Sequence, residues 1–376
     1  MSMNSKFGRI FPPHRVATAS VLAMGLAFIP AAALCAVSDV ALVPAVEKVA
    51  LRRDGLPRKV LVGTEISGYD VILKLPLETR FQRMDEIVDA MEAQASSKYP
   101  GKRLDLAVFA EYFMSHPSDA LDQQAVRLGD VAGRIEACAK RNGCYIVMPL
   151  VMREEGDPAR YSNVALLVDR EGHVAGMYRK VHPCTDLNYA LLEGGMTPGR
   201  DYPVFDCDFG RLGVQICYDV EYPDGWQALA NEGAEIVAFP SETPQTARPS
   251  MYALQHRYYV VSATPRDHAA VYNPLGMIDA QATKEGEVLV HQIDLSYAIT
   301  DWQSGLDGGE SLKRKYGDKV GFTYYNGEDA GIFWSNDPKT SIGQMFKTFG
   351  YPEPGDDDER SRMLQDKVRG GPPAVP

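Results

Sequence analysis

The 376-residue sequence has no cluster of Lys and Arg, no phosphate-cradling glycine loop, no dinucleotide fingerprint and no internal repeat. Without a basic stripe, and with 39 basic residues against 50 acidic ones for a net charge of −11, a nucleic-acid or anionic-membrane partner is not expected. The glycines of "LEGGMTPG" lack the spacing that would cradle a phosphate. Cysteine is sparse, six in all, with no C-x-x-C pair and no H-x-x-x-H, so neither a metal site nor a cofactor is expected. Long apolar runs are missing too, apart from one at the N-terminus, which excludes a protein that crosses a membrane several times. What is present is ordinary globular composition, 45% hydrophobic and 24% charged. That suffices for one large α/β domain with extensions.

The exception is "VATASVLAMGLAFIPAAALCAVS", uncharged from Val16 to Ser38 and preceded by Lys6, Arg9 and Arg15 with no acid. A positive flank, an apolar centre and small residues near Ala31 to Ala36 describe a signal peptide over residues 1–36. Left uncleaved, the same run is an anchor, the one route to a membrane in this chain; Pro30, Thr18 and Ser20 weaken a spanning helix. Either way the body is expected outside the cytoplasm, periplasmic or secreted. Five cysteines then remain, an odd number for an oxidising compartment. Cys138 and Cys144 in "EACAKRNGCYIV" are the pair expected to form a disulfide.

From Lys59 onward, strands alternate with helices. "RKVLVGTEI" and "RLDLAVFAEYF" are near-continuous apolar runs of the kind that form strands buried on both faces. Between them Phe81, Met84, Ile87, Val88 and Met91 recur at three and four residues, the period of an amphipathic helix. A second helix, "LDQQAVRLGDVAGRIEACAKRNG", is stopped by Gly143. Strands follow at "CYIVMPLVMRE", then a hairpin turned at "DREG", then "RLGVQICYDV", the helix "PDGWQALANEGA", and "EIVAFPSE". The helix and strand of "SMYALQHRYYVVSATP" and two or three short strands complete an α/β layered domain over 59–300. Residues 301–350 are aromatic and turn-rich, an extension expected to pack on the body or on a partner subunit. Residues 351–376 are charged and rich in Pro and Gly, expected as a flexible tail.

Three apolar strands end on a reactive side chain: Glu111 after "DLAVFA", Lys180 after "HVAGMYR", and Cys217 after "LGVQI". Ligand sites in layered α/β folds gather at the carboxyl ends of strands. A carboxylate, an ammonium and a thiol brought together there form a working set. The ammonium lowers a neighbouring thiol's pKa, the carboxylate takes a proton from the thiol and later from water, and the ammonium with the Tyr218 N–H answers a developing oxyanion.

These segments, in this order, resemble the Glu-Lys-Cys motifs of the nitrilase superfamily of carbon–nitrogen hydrolases. "GMYRKVHP" and "GRLGVQICYDVEYPD" are similar to its lysine and cysteine motifs, and "DLAVFAEYF" to its glutamate motif with Ala110 where Pro is more usual. The resemblance covers about Lys59 to Leu295. It implies a four-layer αββα sandwich, a homodimer or higher homo-oligomer built through the face carrying the later helices, and a second glutamate that holds the lysine, for which Glu193 stands in the right place. It further implies that Asp219 orients the nucleophile's turn, and that His182 and Tyr112 belong to the pocket or its surroundings. Tyr218-Asp219 after the cysteine resembles the amidase branches, where true nitrilases more often carry Trp-Glu. The expected activity is therefore hydrolysis of a small amide through a Cys217 acyl-enzyme, with water as co-substrate. A nitrilase, an N-carbamoyl amino acid hydrolase and a catalytically silent assembly protein on the same scaffold are the alternatives.

Overall fold

In the computed structural model, residues 52–154, 160–303, 305–351 and 354–373 are described; the proposed signal segment 1–36 lies outside them. The chain runs β1 (Lys59–Glu65), α1 (Tyr69–Lys74), α2 (Leu77–Lys98), β2 (Leu106–Val108), α3 (Leu121–Gln124), α4 (Leu128–Asn142), β3 (Tyr145–Arg153), β4 (Tyr161–Val168) and β5 (Val174–Arg179). The second half runs β6 (Val204–Cys207), β7 (Gly210–Val214), α5 (Pro223–Asn231), β8 (Ile236–Pro240), α6 (Ala247–His256), β9 (Tyr259–Ala263), β10 (Ala269–Tyr272), β11 (Ile278–Ala282) and β12 (Val288–Asp294). Beyond these come β13 (Tyr297–Asp301), α7 (Glu310–Tyr316), β14 (Val320–Tyr325), β15 (Ala330–Ser335), α8 (Ile342–Lys347) and α9 (Pro354–Arg369).

Two six-stranded sheets, ordered β12-β1-β2-β3-β4-β5 and β11-β10-β9-β8-β7-β6, stack face to face. Strand alternation explains the layers. On β1, Val60 and Val62 point into the inter-sheet core with Leu106, Val108, Val214, Ile236 and Val261, while Leu61 points outward under Phe81, Met84, Val88 and Ile135 of α2 and α4. On the other side Trp226, Leu229, Tyr252 and Ala253 of α5 and α6 cover Val237 and Val260. The result is the four-layer αββα sandwich. Burial on both faces is why the central strands read as unbroken apolar runs rather than alternating ones.

Several local expectations are sharpened. The second expected helix is two: α3 ends at Gln124, Val126 makes a bridge with Met152, and α4 resumes and ends at Gly143, whose φ of 62° is left-handed. Cys138 and Cys144 are both buried free thiols, so the expected disulfide is not formed. Cys138 lies on α4 with Asn142 Nδ2 3.7 Å from its sulfur, whereas Cys144 follows the Gly143 turn into β3. The extension contributes a third sheet, β13-β15-β14. One face of it adds Tyr297, Ile299 and Ile332 to the inter-sheet core, and the other is covered by Leu312, Ile342 and Phe346. Residues 354–369, expected within a flexible tail, form helix α9. Pro354 at its first position and Lys367 and Arg369 in its last turn suit a helix's ends. Among the described residues no helix is long and apolar enough to cross a membrane.

Candidate active site

One end of the sandwich collects the chemistry because the strands that point there are parallel. β1, β2 and β3 run together, as do β7, β8 and β9. β5 regains the direction of β3 after two antiparallel reversals. A parallel bridge from Ile66 to Thr264 ties the two sheets at that end. The segments after β2, β5, β7 and β8 therefore emerge side by side.

Glu111, just beyond β2, is 1% exposed. Its Oε1 accepts hydrogen bonds from Lys180 Nζ at 2.9 Å and Asn163 Nδ2 at 2.8 Å, and its Oε2 accepts from the Glu242 backbone N–H at 2.9 Å. Lys180, directly after β5, is equally buried, and its ammonium also bonds Glu193 Oε1. Glu193 in turn accepts from the Cys184 N–H at 3.0 Å, Asn163 Nδ2 at 3.3 Å and Tyr112 OH at 3.3 Å. A buried ion is costly unless it is partnered, and two carboxylates take two of the three ammonium protons. Burial works against the Lys180 ammonium, yet Glu111, Tyr112, Glu193 and Cys217 together raise its pKa well above the ordinary lysine value.

Cys217 does not end a strand: β7 stops at Val214, and Cys217 opens a 3₁₀ turn through Glu221. Its φ of 44° is left-handed, a conformation that costs a non-glycine residue about 1–3 kcal/mol unless its surroundings hold it. Asp219 supplies the hold. This fully buried carboxylate accepts from the Ile216 N–H at 2.9 Å, Tyr178 OH at 2.7 Å, the His182 N–H at 2.9 Å and His182 Nδ1 at 3.1 Å. The lysine segment and the cysteine turn are thus tied through one carboxylate. His182 stacks on Tyr222 with ring centroids 4.0 Å apart and stands behind the turn, not beside Glu111.

The Glu111 carboxylate, the Lys180 ammonium and the Ser241 hydroxyl all act on the Cys217 thiol. Burial, reinforced by Glu111, pushes its pKa up, and Lys180 pulls it down by less. Lys180 lowers the thiol pKa as expected, but burial and Glu111 outweigh it. Lys180 is engaged by two carboxylates, so the thiol senses a neutralised cation.

The structure brings Glu111, Lys180, Cys217, Glu193 and Tyr112 together, and sets Asp219, Tyr218 and His182 around the nucleophile's turn. Three further contributors escaped the sequence reading: Asn163, which bridges both glutamates, Ser241 beside the thiol, and the Glu242 N–H. Asn163 had a signal, an amide inside the apolar run "YSNVALLV". The other two had none, since their roles depend on β8 lying next to β7. Among the described residues no group of His, Cys, Asp and Glu is arranged to hold a metal ion.

Comparison with known proteins converges on one family. The carbon–nitrogen hydrolase family profile matches residues 72–302. The omega-amidase NIT2-A of Xenopus laevis is 27% identical over 191 residues, covering 45% of this chain and 68% of that protein. The deaminated glutathione amidase of Yersinia enterocolitica is 33% identical over 122 residues, 30% of this chain and 42% of its own. Among solved structures, Nit3 of Saccharomyces cerevisiae, a member of branch 10 of the nitrilase superfamily, superposes with a TM-score of 0.54 at 19% identity, covering 64% of this chain and 91% of that one. An amidase from Nesterenkonia sp., solved with the acetamide moiety of fluoroacetamide covalently added at its active-site cysteine, has a TM-score of 0.50 at 21% identity, covering 64% of this chain and 92% of that one. With the matched region spanning more than half of the sequence, this chain belongs to the carbon–nitrogen hydrolase family.

Proposed function

We propose that this hydrolase cleaves the C–N bond of a small amide through a Cys217 acyl-enzyme. The observation that carries the reading is the position of Glu111, which touches Lys180, Asn163 and the Glu242 N–H and acts electrostatically on the Cys217 thiol. Cys217 Sγ attacks the carbonyl carbon as its proton passes to Glu111, and the carbonyl π electrons move to oxygen. Lys180 and the Tyr218 N–H receive that oxyanion; the first N–H groups of a helical turn have no partner within it. The tetrahedral species collapses, and the C–N bonding pair takes the proton from Glu111 as ammonia or amine leaves. Water then attacks the thioester, gives a proton to Glu111, and the released sulfur regains it.

Amide rather than nitrile is favoured by Tyr218-Asp219 after the nucleophile and by the amidase names of the relatives. Ammonia release from a panel of amides, nitriles and ureido acids tests it. Amides are expected to be turned over fastest, with Cys217→Ala inactive; full activity in that variant would overturn the reading. Export by cleavage within residues 1–36 and a homodimer are part of the same proposal, the latter supported by the exposed Met251 and Leu254 of α6. N-terminal sequencing of the mature protein and light scattering test them.

A further inference from the structure

Beside the triad lies a cleft of about 640 Å³ whose lining includes Lys74, Tyr112, Asp119, Gln124, Glu193 and Glu242. Acyl transfer accounts for only part of its charge. Glu193 is committed to Lys180, and Tyr112 to Glu193. Glu242 is not committed in this way. Its backbone N–H is fixed on Glu111, which places its half-buried side chain one residue's breadth from the reacting carboxylate. Among the described residues no Lys, Arg or His comes within ion-pair distance of the Glu242 or Asp119 carboxylates. The one cation lining the cleft, Lys74, is exposed and already paired with Asp70 at 2.6 Å.

Burial, then the Glu111 carboxylate, pushes the Glu242 carboxyl above its ordinary range; Lys180 opposes this, Glu193 adds to it, and Arg266 opposes it least. A carboxylate among carboxylates, partly out of water, has no cation in direct contact, and Lys180 and Arg266 act on it only from a distance. The same field disfavours an anionic ligand. A ligand that carries its own ammonium satisfies Glu242 and neutralises the cleft at once.

We propose that the cleft selects amides whose distal end bears a cation, an ammonium or a guanidinium, with Glu242 as the specificity-determining contact and Asp119 as a second carboxylate at the mouth. The proposal rests on the amide-hydrolase reading above and deepens it. A charge-assisted contact of this kind discriminates by about tenfold or more.

The test is a matched series of pentanamide, its terminal-ammonium analogue and its terminal-carboxylate analogue. Wild-type kcat/KM is expected to rank ammonium, methyl, carboxylate, with about tenfold between the first two. Glu242→Gln keeps the backbone N–H on Glu111 and removes only the charge, so the ammonium-to-methyl ratio should fall toward one. Equilibrium binding of the three compounds to Cys217→Ser protein gives the ranking without turnover. If none is hydrolysed but the ammonium compound binds best, the hydrolase reading fails and this inference stands. Carboxylate binding as tightly as ammonium, or a ranking unchanged by Glu242→Gln, would overturn it.

Discussion

Replacing Glu193 by Gln tests the physical core of the site, because it removes one of the two charges around a buried ammonium and almost no volume. In the native protein Glu193 accepts from Lys180 Nζ, the Cys184 N–H, Asn163 Nδ2 and Tyr112 OH. A glutamine oxygen can keep Lys180 and Cys184, but its NH₂ then meets Asn163 Nδ2 donor against donor, while the Tyr112 hydroxyl must turn to accept. Breaking a buried pair outright costs about 3–5 kcal/mol. Glu111 still compensates Lys180 at 2.9 Å, so about 2–3 kcal/mol is expected, a loss of roughly 5 °C in Tm for a chain of this size. The kinetic effect should exceed the thermal one. With Glu193 neutral, Lys180 leans wholly on Glu111 and weakens it as a base, lowering kcat by about a hundredfold with little change in KM. Lys180 has a raised folded pKa, so its pairing stabilises fully below the ordinary lysine value of 10.5 and is lost as pH rises through the folded value. Glu193→Gln brings that folded value down, and alkaline unfolding should begin at lower pH than in wild type. Calorimetry across pH with steady-state kinetics reads both effects. A variant with wild-type Tm and wild-type kcat would refute the reasoning.

Asp219→Ala strips four donors of their acceptor, three of them in buried backbone and hydroxyl groups, and should cost about 3–5 kcal/mol together with most of the activity; urea unfolding and kcat measure it, and near-wild-type kcat would show that the Cys217 turn holds without it. Glu65 is fully buried, accepts the Ala110 N–H at 2.9 Å, and is pushed by burial to about 8 from an ordinary 4.5. Its raised folded pKa means that stability falls as pH rises from 4.5 to 8 and is level above, so Glu65→Gln should gain on wild type by a few kcal/mol between pH 5 and pH 8, and parallel curves would contradict this. Because the described cysteines are free thiols, a reducing agent should leave the Tm unchanged; a fall of several degrees would reveal a disulfide.

How much of this was legible depended on the range of the interaction. Glu111, Lys180 and Cys217 could be found because each follows an apolar run in the chain, a local pattern. Gly143 could be assigned as a helix stop for the same reason. The break between α3 and α4 was hidden because Val126 leaves helical geometry to bridge Met152, a partner 26 positions away. Strand β6 was missed because "PVFDC" is short, and only its pairing with β7 makes it a strand. The clamp around the triad was the least visible part. Asn163, Ser241 and the Glu242 N–H act through sheet order and cross-sheet stacking, which no spacing rule encodes. The net setting of the Cys217 thiol was hidden for a related reason, since burial and Glu111 outweigh the lowering by Lys180. Lys180 looks like a free cation in the sequence and is a neutralised one in the fold.

The central claim is that carbon passes through a covalent bond to Cys217. Rapid quenching of the protein with a slowly hydrolysed amide, followed by intact mass and peptide mapping, tests it directly. The account predicts a mass increase equal to the acyl group, located on the peptide containing Cys217 and abolished in Cys217→Ala. Turnover of the same amide with no acyl adduct at any time point, or an adduct on another residue, would contradict it.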